Sequence, residues 1–170
     1  MFVFGTADDV FAMAVRIEEN GNAFYAGAAE KTTDPEVKKL FDDLALMEAS
    51  HIQIFRNLRS KLPETSASEA VWDPEGLAES YLEATADSHV FTLEAVTERL
   101  KAVKTPMEAL DMALQFEKDS LVFFLGMKEV LPDPSGRGEI DQLIKSEMLH
   151  IRMLSGAKKR LAETGKGGIF

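Results

Sequence analysis

The sequence predicts an all-α protein, a four-helix bundle made of two repeated helical hairpins joined by a long crossover. The first observation behind this is an internal repeat: residues 105–154 slide onto residues 6–55 at a constant offset of 99, with no gap. Thr6 meets Thr105, Met13-Ala14 meets Met112-Ala113, and Phe24 meets Phe123. Gly27 meets Gly126, Asp34-Pro35 meets Asp133-Pro134, Leu44 meets Leu143, and Ile52 meets Ile151. The second observation is that both copies carry the same helix-start signals at the same places. The third is that apolar residues recur at helical spacing through each copy: Val37, Leu40, Phe41, Leu44, Ile52 and Phe55 in one, and Ile140, Leu143, Ile144, Ile151 and Leu154 in the other.

Helix one is expected from Ala7 to Lys31. Thr6 is a good N-cap, with Asp9 three residues later in capping-box fashion. Val10, Phe11, Ala14, Ile17, Phe24 and Tyr25 mark its buried side. Asp34-Pro35 opens helix two, which should run to about Lys61 and stop at Leu62-Pro63. Residues 63–105 have no counterpart in the repeat. The polar stretch PETSASEAVWDP leads there to helical segments near Glu75–Ser88 and Thr92–Val103. A connection of this length lets helix three run parallel to helix two. Thr105, Pro106 and Glu108 restart the pattern for helix three, Pro106 to about Val130, and helix four spans about Pro134 to Ala162. The terminal GKGGIF reads as a frayed tail. Residues 1–170 thus form a single domain, with hairpin one at 6–62, the crossover at 63–105 and hairpin two at 106–163.

Composition narrows the function classes. The 170 residues contain no cysteine, which excludes disulfides, thiolate metal sites and any cysteine-ligated iron centre within them. A net charge of −10 argues against nucleic acid or an anionic membrane surface as partner. The start, MFVFGTADD, lacks a basic leader region, and no apolar run approaches the length that spans a bilayer. A soluble, cytoplasmic protein is expected.

The chemistry lies in two Glu-x-x-His pairs, Glu48 with His51 and Glu147 with His150. Each has a glutamate 30 positions upstream of its own, Glu18 and Glu117. Glu18 and Glu117 each precede the expected end of their helix by 13 residues. Glu48 and Glu147 follow the opening proline of theirs by the same number. At 1.5 Å per residue all four lie roughly 20 Å from a turn, so antiparallel hairpins bring them level. A histidine three residues after a glutamate shares its helix face. Glu48 stands seven residues from both Phe41 and Phe55, and Glu147 lies among Ile140, Ile144, Ile151 and Leu154, so the carboxylates point inward. One Glu-x-x-His pair in a glutamate-rich chain is weak evidence, since solvent-facing pairs are common. Two pairs in register with two upstream glutamates, all facing inward, are specific. Four carboxylates in an apolar core are prohibitively costly unless protonated or neutralised by cations. One glutamate from each of two helices and Glu-x-x-His from each of the other two is the ligand pattern of ferritin-like di-metal carboxylate bundles.

Nearby residues read differently. Glu19 pairs in the repeat with Lys118 and belongs on the surface. Tyr25, seven after Glu18, could hydrogen-bond a ligand carboxylate, although its counterpart Phe124 points equally to plain packing. Glu94 has no repeat partner and is read as surface. His89 has no glutamate three before it and is left unassigned, and the methionines are core filler.

The stretches RIEENGNAFY with MEASHIQIF, and QFEKDSLVFF with SEMLHIRML, resemble the rubrerythrin branch of the ferritin-like superfamily. The resemblance implies a centre of two iron ions per chain held by Glu18, Glu48, His51, Glu117, Glu147 and His150. In it Glu48 and Glu147 bridge the metals, and Glu18 and Glu117 are terminal. It also implies oxidoreductase chemistry with hydrogen peroxide or dioxygen. Two departures accompany it. Rubrerythrins carry a cysteine-ligated, rubredoxin-like iron domain, so here a separate protein is expected to donate electrons. They also have an extra glutamate one turn after the first on helix three, where this chain has Ser120, which moves the site towards a six-ligand pattern. The alternatives are a ferritin-like iron-storage protein with ferroxidase activity, and a di-iron hydroxylase. Another divalent metal could occupy the site after purification, and a homodimer is compatible with the pattern.

Overall fold

The Thr6 hydroxyl accepts a hydrogen bond from the Asp9 amide at 3.2 Å, and the Asp9 carboxylate accepts from the Thr6 amide at 3.0 Å, so the first helix begins in a complete capping box. That helix, α1, is Ala7–Lys31 in the computed structural model, which describes residues 6–64, 80–81, 93–131 and 136–164. Three residues later Asp34 caps α2, Pro35–Ser60, accepting from the amides of Glu36 at 2.9 Å and Val37 at 3.0 Å. The crossover contributes α3, Leu93–Ala102. Thr105 caps α4, Pro106–Val130, by accepting from the Glu108 amide at 3.2 Å. The expected box is modified there, because the Glu108 carboxylate accepts from the amide of Lys104 rather than that of Thr105.

The last long helix, α5, is Arg137–Thr164. It opens three residues after the expected Pro134, and Gly136 explains why. Its φ of +77° is left-handed, which an L-residue rarely adopts and a helix cannot contain. A Cβ there would also run into the Leu58 side chain, so Gly136 is the point at which the chain passes closely over the end of α2. The expected helical segment near Glu75–Ser88, the Asp133-Pro134 start signal and the terminal tail lie outside the described residues, Ser80 and Tyr81 excepted, which are helical.

Helices α1 and α2 form one hairpin and α4 and α5 the other, with α1 meeting α4 and α2 meeting α5. Polar ties hold each hairpin in register. Both nitrogens of the Arg59 fork donate to Asp8 at 2.7 Å, and Asn22 donates to the Ala45 carbonyl at 2.7 Å. Lys128 donates to Asp141 at 2.6 Å in the second hairpin. Helix α3 lies on α1, where Lys31 donates to the Leu100 carbonyl at 2.9 Å and Val96 and Leu100 are buried.

Two apolar clusters fill the interior. One holds Phe11, Ile17, Phe55, Phe123, Phe124, Met127 and Ile140, and the other Phe24, Tyr25, Phe41, Leu44, Leu110 and Leu154. Partly buried Phe116 packs against both. Fully burying one such side chain contributes about 1.5–3 kcal/mol, so these clusters dominate the stability of the bundle. On α1, Glu18 lies between the residues of one cluster and those of the other, and on α2 Glu48 lies likewise between Phe41 and Phe55. A polar layer therefore crosses the middle of an apolar interior.

Candidate metal centre

All six side chains singled out in the sequence meet in that layer. Glu18, Glu48, His51, Glu117, Glu147 and His150 are each at most 5% exposed. Glu18 comes from α1, Glu48 and His51 from α2, Glu117 from α4, and Glu147 and His150 from α5. Their ligand atoms form two quartets, Glu18–Glu48–His51–Glu147 and Glu48–Glu117–Glu147–His150, with all atoms of a quartet within 4.8 Å of one another. Glu48 and Glu147 belong to both quartets. Each remaining glutamate and histidine belongs to one.

The geometry inside each quartet is that of side chains aimed at a common point. His51 Nδ1 lies 3.1 Å from Glu147 and 3.4 Å from both Glu18 and Glu48. His150 Nδ1 lies 3.1 Å from Glu48, 3.3 Å from Glu117 and 3.8 Å from Glu147. Neither nitrogen is aligned with any of these oxygens as a hydrogen bond. Both are orphaned, as are Glu18 Oε1, Glu117 Oε2 and Glu147 Oε1. Buried polar atoms without partners are rare in folded proteins, and five in one cluster call for a cation.

Protons alone would serve this cluster only in part. Burial pushes the Glu18 carboxyl well above the usual range, and the charges of Glu48 and Glu147 add to it. Glu147 is raised well too, by burial and then by Glu48 and Glu117. Burial also acts to raise Glu48, but its contacts with Glu18, His150 and His51 prevail and hold it below the usual range. Burial would lower both imidazoles. Instead the surrounding carboxylates, Glu147 first, raise His51, and Glu117 and Glu48 push His150 up to about 10. Divalent cations would satisfy the same oxygens and nitrogens with no proton shared between them.

Other residues complete the layer. Tyr25 does more than pack: its hydroxyl donates to Glu117 Oε1, leaving Oε2 for a ligand. Its repeat counterpart Phe124 is purely apolar and tilts against Phe55 at 5.0 Å. Gly21, one turn after Glu18, leaves room for the Phe116 ring, since a Cβ would stand 3.2 Å from it and in ordinary contact, at 3.5 Å, with Glu48 Cγ. Its repeat twin is the buried Ser120. Sequence reasoning missed Ser146, which touches both histidines; its place four residues before His150, on the same helix face, was the available signal. Glu19 is on the surface, paired with Arg56 at 2.5 Å. His89 and the Glu94 side chain lie outside the described residues.

A family model described as rubrerythrin matches residues 9–158. The chain belongs to the rubrerythrin family. It is also similar to a solved structure from Thermotoga maritima, assigned as a ferritin-like diiron-carboxylate protein. That likeness has a TM-score of 0.71 at 24% identity and covers 94% of this chain and 98% of the other. It shows the ferritin-like fold. No curated protein matches significantly. Membership of the rubrerythrin family and the buried glutamate–histidine cluster agree on metal binding. Among the described residues, no helix is long and apolar enough to cross a membrane.

Proposed function

We propose that this rubrerythrin-family chain is a di-iron oxidoreductase that reduces hydrogen peroxide or dioxygen, with Glu18, Glu48, His51, Glu117, Glu147 and His150 holding two iron ions. The observation that carries the reading is the pair of quartets sharing Glu48 and Glu147. Two cations with two common carboxylates and one histidine each account for all five orphaned atoms. Bound iron would supply reversible one-electron oxidation and Lewis acidity, which no side chain here provides.

The chain's own residues do the rest. Glu48 and Glu147 would bridge, and Glu18 and Glu117 would bind at the ends. Tyr25 anchors Glu117 by one oxygen, so that carboxylate can turn about a fixed point. The apolar clusters on either side keep bulk water from the layer. Reducing peroxide to two waters takes two electrons and two protons. With no cysteine in the 170 residues, the electrons are to come from a separate donor protein, in a cytoplasmic setting. Ser120, in place of the extra glutamate, should weaken any preference for peroxide over dioxygen.

The test is anaerobic reduction of the iron-loaded protein followed by stopped-flow mixing with each oxidant, in the parent and in Ser120→Glu. Oxidation by both, with Ser120→Glu gaining on peroxide relative to dioxygen, is expected. A large peroxide preference in the parent, unchanged in Ser120→Glu, would refute the role given to Ser120. Failure to react with either oxidant would refute the oxidoreductase reading. A large hollow assembly that accumulates iron would favour storage instead.

A further inference from the structure

The two histidines present Nδ1 to the carboxylates, and their other nitrogens converge on one atom. Ser146 Oγ lies 3.0 Å from Nε2 of His51 and 3.4 Å from Nε2 of His150. The rings are close to parallel, at 14° with centroids 5.4 Å apart. Ser146 reaches His150 along its own helix and His51 across the α2–α5 interface. Its repeat twin is Met47, whose side chain has no N–H or O–H, so the internal two-fold pattern of the ligands ends at this hydroxyl.

A serine oxygen has two lone pairs and one proton. It can accept an N–H from both rings at once only when both carry the proton on Nε2. With the Nε2 protons held there, the proton that leaves each ring as a cation enters is the one on Nδ1, which frees the Nδ1 lone pair on the carboxylate side. We propose that Ser146 is a positioning residue that holds both imidazoles by their Nε2–H groups and so keeps Nδ1 of each aimed at its half of the centre. The inference rests on the metal reading above. It differs from a packing role, which any small side chain would fill, and from a role towards His150 alone.

Co(II) titration of the chelated full chain, read by visible absorbance, tests it in the parent, Ser146→Ala and Ser146→Thr. Loss of a group that orients a metal-ligating histidine typically weakens affinity by about 10–100-fold. A loss of that order is expected for both equivalents of Co(II) in Ser146→Ala, with most of it restored in Ser146→Thr. The melting temperature of the chelated Ala variant should match the parent's. In the Zn(II)-loaded protein, labelled with 15N at histidine, two Nε2-bound protons should exchange slowly in the parent and the Thr variant. Both should exchange faster in the Ala variant. Unchanged Co(II) affinity in Ser146→Ala, a loss confined to one equivalent, or a Thr variant as weak as Ala would each overturn the proposal while leaving the metal reading intact. A parent that takes up no Co(II) would overturn both.

Discussion

Among the described residues, Glu48 and Glu147 differ from every other carboxylate, because each lies within reach of both histidines. Removing either should therefore remove most of the stabilisation that metal provides. We expect Glu48→Ala and Glu147→Ala to abolish most of the rise in melting temperature on adding metal, measured by calorimetry against the chelated protein. Glu19→Ala, at a surface residue paired with Arg56, should leave that rise intact. Loss of metal in Glu19→Ala but not in Glu18→Ala would mean that the α1 register is wrong. Protonation gives a second prediction. Glu18 and Glu147 are raised, so the folded chelated protein keeps protons that the unfolded chain sheds above its usual 4.5. His51 and His150 are raised, so their contribution is complete below 6.5 and fades as pH climbs towards about 10 for His150. Both effects lower the stability of the chelated protein as pH rises. Metal, by contrast, competes with fewer protons. The gap in melting temperature between loaded and chelated protein should thus widen from about pH 6 to 8, and a gap that narrows would contradict the proton assignments. All six ligand candidates were legible in the sequence because Glu-x-x-His and its upstream glutamate recur at one offset. Ser146 was not, because its role depends on His51, 95 positions away, and its twin Met47 breaks the repeat.

The helices were readable almost to the residue where a capping side chain marks their start. Thr6, Asp34 and Thr105 all accept from the amides that the capping rule names. The exception was α5, where the Asp-Pro signal of the first hairpin recurs in sequence but the helix waits for Gly136. The repeat concealed this, because Gly136 aligns with Val37, a helical residue on α2. Two neighbouring glycines should therefore respond oppositely to alanine. Gly136→Ala forces a left-handed φ and a collision with Leu58, and should destabilise by about 1–2 kcal/mol or more on the backbone term alone. Gly138 is helical with open space around its Cα, so Gly138→Ala should stabilise by about 0.4–1 kcal/mol. Urea melts of the two variants decide the matter, and equal effects would show that the turn at Gly136 is misread.

At the scale of the whole molecule, a polar layer centred on four glutamates and two histidines lies between two clusters of aromatic and aliphatic side chains. The fold was legible because two like hairpins have few ways to bury four amphipathic helices, and the ligand spacing sets which faces meet. How α3 lies on α1 was not legible, since the crossover has no repeat partner. It is settled by contacts such as Lys31 with the Leu100 carbonyl. The bundle and its ligands together lead to one number. Chelated protein should be reconstituted with ferrous iron under strictly anaerobic conditions, freed of excess, and assayed for iron by elemental analysis alongside Glu48→Ala and Glu147→Ala. Two irons per chain in the parent, falling sharply in both variants, is the expected result. One iron or none in the parent, or two retained when a shared carboxylate is gone, would contradict a di-iron centre built on Glu48 and Glu147.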